Sequence, residues 1–324
     1  ALVVTVVLAL TAGSALAAPP AKGPAIPRTR DGHPDFQAVV WTTPYMATTE
    51  IFPTFPPALT VSEDQARALF SRMSALVLNT ADFRIDAEAA SFFTESRGLP
   101  LVRGERRTRL LVEPADGKIP FTREARREVE ATRAPIQKYD NPEDRPPGER
   151  CLTQGAIPPL AFTSPVHLRQ FVQTRDWVAL EVEYGDELRV IPFADHHGPK
   201  ELVPDMGDSI ARWDGDTLVV ETTNFPAWSR MRAFPTSLIV NADAVVIERF
   251  TLVSPTELLY QFTVRDPKVY TAPWLAEYSL YPASGRMFPS NCHEGNYSLP
   301  NILSAARQAE AAAQKQAQAT SRSP

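Results

Sequence analysis

The sequence predicts a mainly β protein, an antiparallel meander that curls into a barrel-like sheet, with a β-sandwich as the second choice. Two observations predict it. Eight β-rich runs follow residue 167, and turn residues separate them. Short connections between successive strands are typical of a meander, and eight such strands can close into a barrel without exposed edges. The runs are 171–174, 177–184, 188–193, 210–213, 217–223, 245–253, 257–266 and 276–281.

The strand assignments rest on turn chemistry and on alternation. Asp214-Gly215 between two β-rich runs is a strong signal for a two-residue hairpin turn. Apolar and polar residues alternate over 259–264, which is typical of a half-buried strand.

The region before the sheet, residues 18–165, is rich in proline, with nine prolines between Pro19 and Pro57. Proline is excluded from central strands and helix interiors, so this region is expected to lie over the core in extended segments. Ser62 and Gln65 form a capping-box pattern that predicts a helix over 62–77. A second, charged helix is expected over 122–133, preceded by a hairpin that pairs 109–113 with 118–121.

The chain is expected to end in a helix. Pro300 suits a first helical turn, and the segment becomes rich in Ala and Gln after Gln308. The predicted organisation is a signal peptide (1–17), the proline-rich region (18–165), an antiparallel β domain (166–298), and a short C-terminal helix with a disordered tail (299–324).

The N-terminus predicts export. An apolar run over 2–10 precedes Ala15 and Ala17, small residues at the positions that signal peptidase reads. The run is too short to span a bilayer. We therefore expect a periplasmic or secreted protein whose mature chain begins near Ala18 and has no membrane span.

Export gives the two cysteines a meaning. Cys151 and Cys292 are the only pair in the chain, and an oxidising compartment favours a disulfide between them. Two free thiols are the alternative.

Composition excludes several classes of protein. The chain is 44% hydrophobic and 22% charged, which argues against an intrinsically disordered protein. A net charge of -5 and a pI of about 5.7 give no basic field to hold nucleic acid.

Several motifs resemble those of a large group of exported bacterial proteins to which no chemistry is assigned. The resemblance is specific over roughly 150–305 and implies export and a shared architecture, without any catalytic residue. The motifs are RTRDGHPD at 28–35, ERC at 149–151, GDS at 207–209, RWDGDTLVVETTNF at 212–225, ERFT at 248–251, FTVRDP at 262–267, CHEGNYS at 292–298 and NIL at 301–303.

His293 is the candidate general acid or base. Imidazole titrates near neutral pH, and Glu294 or the more distant Asp208 can orient it. In that hypothesis Arg212 or Asn296 binds an oxyanion. The competing interpretation is that His293 and Asn296 only cap the C-terminal helix.

No metal or cofactor is predicted. Asp195, His196 and His197 are potential ligands, but their spacing matches no known ligand signature. Gly207-Asp208-Ser209 resembles the nucleophile block of some serine esterases only superficially, because its surroundings are β-rich rather than a strand-to-helix turn.

The aromatic residues favour ligand binding. Small barrels can hold one small molecule, and binding pockets are mostly apolar with a few polar groups. The predicted ligand-binding residues are Trp213, Arg212, Asn296, Tyr260 and Trp274.

The leading hypothesis is an exported barrel-type module that binds an apolar or aromatic small molecule. Its alternatives are an exported enzyme that uses His293 on a small organic substrate, and a structural or interaction protein without a pocket. The competing interpretation of the rings is that they fill the core.

Overall fold

The computed structural model describes residues 25–78, 96–133, 139–145, 150–152, 155–160, 168–233, 237–289 and 296–321. The expected signal peptide lies outside these ranges. So do Cys292, His293 and Glu294, and the predictions about all of them stay predictions.

The described residues form a β-rich fold with three α-helices. The strands are β1 (Trp41–Thr42), β2 (Thr60–Val61), β3 (Leu101–Val102), β4 (Glu105–Arg107), β5 (Leu111–Glu113), β6 (Arg169–Gln173), β7 (Trp177–Val182), β8 (Glu187–Pro192), β9 (Asp208–Asp214), β10 (Thr217–Thr223), β11 (Met231–Ala233), β12 (Ser237–Ile239), β13 (Val245–Ser254), β14 (Glu257–Arg265) and β15 (Trp274–Pro282). The helices are α1 (Glu63–Leu78), α2 (Arg123–Arg133) and α3 (Ser298–Ser321).

Ten strands form one large antiparallel sheet in the order β8-β7-β6-β1-β15-β14-β13-β10-β9, with β5 beside β15. It contains two meanders, one of β6, β7 and β8 and one of β9, β10, β13, β14 and β15, while β11 and β12 pair in a separate two-stranded sheet. The short strand β1 joins them, because Trp41 pairs with both Arg169 on β6 and Pro282 on β15. A strand of the proline-rich region is therefore part of the sheet.

The two edge strands of the sheet, β8 and β9, lie side by side. A single isolated parallel bridge joins Phe193, directly after β8, to Ala211 on β9. Among the described residues there is no longer ladder between these two strands, so a closed barrel is not shown.

Alternation along the strands gives the sheet one buried inner face. In β13, every second residue from Val246 to Leu252 is buried. Antiparallel partners share a face, so the register places Val220, Glu248 and Phe262 side by side on that face. The sheet therefore carries the main core on its inner face.

The chain itself fills this inner face. Residues 155–160 pack against it, with Ala156 and Leu160 fully buried. The Glu187 carboxylate accepts the backbone N–H groups of Gly155 and Ala156, at 3.0 and 2.6 Å. The Leu160 N–H donates to the Tyr260 hydroxyl at 2.8 Å. Buried side chains thus satisfy the backbone of this segment.

A second, smaller sheet of β2, β4 and β3 lies on the outer face of β15. Arg103 and Arg107 from this sheet donate to the buried Glu277 carboxylate on β15, at 3.2 and 3.1 Å. The helix α1 begins at the predicted capping box, in which Ser62 and Gln65 bond each other reciprocally, at 3.0 and 3.3 Å.

The predicted hairpin of 109–113 with 118–121 is wrong. The strand β5 pairs with β15 instead, and Phe121 forms a bridge with Tyr270. Leu111 is fully buried, and the large sheet offers it more apolar surface than a two-stranded hairpin does.

The C-terminal helix α3 continues to Ser321, past the point where the apolar stripe ends, because Ala and Gln are good helix formers. Its residues beyond Gln308 are exposed up to Gln318. No helix in the described ranges is long and apolar enough to cross a membrane.

Candidate functional site

A pocket of about 280 Å³ lies at one end of the large sheet. Trp213 reaches it from the end of β9 and Phe193 from the end of β8. The turn between β6 and β7 supplies Thr174 and Arg175. The remaining lining residues, Asp31 and His33, come from the extended segment before β1.

The wall of the pocket is aromatic. The His33 imidazole lies on the Trp213 indole, with ring centroids 4.3 Å apart and ring planes inclined by only 3°. Phe193 lies on the same indole at 6.3 Å and 23°. The fully buried Phe36 closes the base of the wall at 5.9 Å from Trp213. The wall is thus built of flat rings, and His33 covers the face of Trp213.

Two side chains of opposite charge lie at the mouth of the pocket. Asp31 and Arg175 are both exposed, and neither forms an ion pair with another described residue. The Thr174 hydroxyl is already used, because it donates to the Trp177 carbonyl at 2.9 Å. Asp31 and Arg175 are therefore the pocket's charged groups available to a ligand.

A tight loop carries Asp31 and His33 to the pocket. The Thr29 N–H donates to the His33 carbonyl at 2.8 Å, and the Gly32 N–H donates back to the Thr29 carbonyl at 3.0 Å. Gly32 has φ of +85°, a conformation that favours glycine. The side chain of Arg28 then forms a two-pronged ion pair with Asp216, at 2.8 and 2.7 Å, across the turn that follows β9.

Buried groups fix the base of the loop. The Phe36 N–H donates to the Gln173 side-chain carbonyl at 2.7 Å, and the Gln173 amide donates to the Pro34 carbonyl at 3.0 Å. The Trp41 indole N–H donates to the Phe36 carbonyl at 2.8 Å. These hydrogen bonds hold the base of the loop next to β6, and Asp31 and His33 lie at the mouth of the pocket.

The candidate Asp208 lies in a different place, on the outer face of the sheet. Its carboxylate accepts the Gly198 N–H at 2.7 Å and lies 3.3 Å from Nδ1 of His197. Nε2 of His197 lies 3.3 Å from the Glu221 carboxylate. His197 thus holds the loop after β8 between two acidic side chains. Among the described residues no three His, Cys, Asp or Glu side chains are placed to hold a metal ion.

The structure separates the predicted ligand-binding residues. Trp213 lines the pocket, whereas its neighbour Arg212 is exposed and points to the opposite face because side chains alternate along a strand. Tyr260 and Trp274 are fully buried in the packed inner face.

Tyr260 is a structural residue of the inner face. Its hydroxyl donates to the Glu248 carboxylate at 2.8 Å and accepts the Leu160 N–H. Burial, with the neighbouring Glu248 carboxylate, raises the pKa of Tyr260 well above its usual value, so the phenol stays neutral.

Asn296 is placed near the predicted disulfide. Its side-chain amide donates to Sγ of Cys151 at 3.4 Å, and its carbonyl accepts the Leu299 N–H at 3.2 Å. The second contact is the helix cap expected for Asn296.

Sequence reasoning missed His33, Asp31 and Arg175 as site residues. The signal for two of them was present, because Asp31 and His33 lie within the RTRDGHPD motif at 28–35. No comparable signal marks Arg175.

Comparison of the chain with protein-family models, with curated proteins and with solved structures finds no match. The proposal for its function therefore rests on the geometry of the pocket.

Proposed function

We propose that the protein is an exported, barrel-like module that binds a small aromatic acid in the pocket at the end of the sheet. The observation that carries the proposal is the stacking of His33 on Trp213 inside a small pocket with a charged mouth. The stack supports the proposal, because it places one flat ring against the indole face.

The size of the pocket favours a ligand with a single ring. A volume of about 280 Å³ is at the lower end of the usual range for ligand pockets, which begins near 300 Å³. A benzene ring with one polar substituent is of this size class.

The charged groups favour an acidic substituent. Arg175 presents a planar guanidinium, which matches the geometry of a carboxylate. A benzoate-like molecule satisfies the aromatic wall and the cation together.

The filled inner face argues against a ligand inside the sheet. Tyr260, Phe262, Trp274 and Tyr278 are all buried and in mutual ring contact. Residues 155–160 pack on the same face, so we place the ligand at the end of the sheet.

The rival hypotheses rest on other parts of the chain. The enzyme hypothesis depends on His293 and Glu294, which lie outside the described residues. The interaction hypothesis would be favoured by an exposed apolar patch. Exposed apolar side chains occur on the proline-rich region, at Leu76 and Leu152, and on β6 and β8, at Val172, Leu188 and Val190.

Calorimetric titration with benzoate tests the proposal. We expect saturable binding by the wild-type protein, about fivefold weaker binding after Arg175→Ala, and no change after Arg212→Ala, because an exposed ion pair contributes at most about 1 kcal/mol. Benzamide and cyclohexanecarboxylate should both bind more weakly than benzoate, since each lacks one of the recognised features. Equal effects of the two arginine variants, or equal binding of the three compounds, would refute the proposal.

A further inference from the structure

The segment that lines the pocket also covers it. Residues 28–34, the arm loop, place His33 on the Trp213 ring that the proposed ligand needs. The imidazole is the size of a small aromatic ligand and lies parallel to the indole, so His33 occupies the position that such a ligand would take.

The arm loop is held firmly at one side and weakly at the other. Its base is fixed by hydrogen bonds from Phe36, Gln173 and Trp41, groups that are buried or partly buried. Arg28, the first residue of the loop, forms a backbone bridge with Pro34 at this base. The loop is tied to the β9–β10 turn by the ion pair of Arg28 with Asp216, whose side chains are 44% and 58% exposed. An exposed ion pair contributes little to stability, so this contact is the one that opens at least cost.

We propose that the arm loop is a lid over Trp213, that the Arg28–Asp216 ion pair is its latch, and that an aromatic acid binds by displacing His33. This inference rests on the proposed function, since it concerns the same pocket. Affinity for a ligand falls with the fraction of molecules in which the site is open. The latch therefore sets the affinity of the pocket without contacting the ligand.

The chain offers a matched control for the latch. Arg249 forms an ion pair with Asp214 at 2.8 Å, and the two side chains are 38% and 61% exposed. This pair lies at the same β9–β10 turn as Asp216 but does not hold the arm loop. Arg28 also donates to the Gly32 carbonyl within the arm loop, at 2.8 Å, so the latch is broken from the other side. Asp216→Ala and Asp214→Ala each remove one carboxylate from the same turn, and only the first releases the loop.

The first readout needs no ligand. In the wild-type protein the amides of Thr29, Gly32 and Asp35 are hydrogen-bonded within or beside the arm loop. We expect hydrogen exchange at these amides to become several-fold faster after Asp216→Ala and to stay unchanged after Asp214→Ala. Equal exchange in the two variants would show that the ion pair does not hold the loop.

The second readout is the affinity for benzoate, measured by calorimetry on the same proteins. We expect Asp216→Ala to bind about two- to fivefold more tightly than wild type and Asp214→Ala to match wild type. Benzoate binding that is unchanged or weaker after Asp216→Ala would overturn the lid and leave the proposed function intact. Absence of benzoate binding in every variant would overturn both.

Discussion

Arg189 on the edge strand β8 and Glu248 on β13 lie 2.5 Å apart, although the two strands are far from each other in the strand order of the large sheet. Both side chains are almost fully buried, and Arg189 also donates to Ser209 and Thr222 on β9 and β10. One guanidinium thus connects four strands where the backbone supplies a single bridge. We infer that this ion pair substitutes for the missing ladder between β8 and β9.

Removing one partner of this pair should be costly. Arg189→Met leaves Glu248 buried without its cation, and we expect the free energy of unfolding to fall by about 3–5 kcal/mol. Urea unfolding followed by circular dichroism measures it. The double variant with Glu248→Met should lose less than the sum of the single variants, and Arg249→Ala should lose under about 1 kcal/mol. Strictly additive losses would contradict the coupling.

Gly207 lies where the loop before β9 comes close to Thr222 on β10. It has φ of +79°, and a Cβ atom there would lie 2.8 Å from Cδ1 of Phe225 and 2.9 Å from Cγ2 of Thr222. We expect Gly207→Ala to lower stability by about 2–3 kcal/mol. Gly215→Ala carries a similar backbone strain at φ of +58° but meets open space, so it should cost less. Equal losses in urea unfolding would show that the close approach does not matter.

The latch should open at acid pH. The Arg28 guanidinium hydrogen-bonds Asp216 and, helped by His33, lowers the pKa of its carboxyl. A lowered pKa means that the ion pair is complete above the ordinary Asp pKa of about 4 and is lost as the pH falls through the lowered value.

Acrylamide quenching of Trp213 checks this pH dependence. The signal of Trp213 is the difference between wild type and Trp213→Phe. Quenching should increase as the pH is lowered from 6 to 3, while circular dichroism confirms that the fold persists. In the Asp216→Asn variant, quenching of Trp213 should not change as the pH is lowered over this range. A rise in quenching at acid pH in that variant would assign the effect to another group.

The disulfide remains a prediction that one mass measurement decides. Asn296, four residues after Cys292 in the sequence, contacts Sγ of Cys151 at 3.4 Å. We expect the non-reduced protein to take up no alkylating agent. Uptake at both Cys151 and Cys292 would contradict the bridge.

The strands were predictable because their signals are local. Alternation over 259–264 and the Asp214-Gly215 signal each describe neighbouring residues, and β14 and the β9–β10 hairpin are present. The two-residue turn lies one residue later than predicted, at Gly215 and Asp216, because Asp214 pairs with Thr217. The capping box of Ser62 and Gln65 is local in the same way.

The pairing of distant strands was not predictable from such signals. Trp41 gives no hint in its own surroundings that β1 lies between β6 and β15. The role of Glu248 was hidden for the same reason. Glu248 lies at an inward-facing position of β13 between apolar residues. Its partner Arg189 reaches it only because β8 lies beside β9 in the folded chain.

The candidate site was half predictable. Trp213 was selected as an aromatic residue in a motif, and it lines the pocket. Arg175 and His33 come from a turn and a loop far apart in sequence, and their meeting depends on how the segment before β1 crosses the end of the sheet. Asp208 lies next to His197 on the outer face of the sheet, away from the pocket.

The indole N–H resonances of the five tryptophans test the central claim most directly. A two-dimensional ¹H–¹⁵N spectrum recorded during a benzoate titration separates them, and Trp213→Phe assigns the relevant peak. We predict that the Trp213 peak shifts with saturation while those of the buried Trp41 and Trp274 stay in place. A shift of the Trp274 peak with Trp213 unmoved would place the ligand inside the sheet and contradict the account.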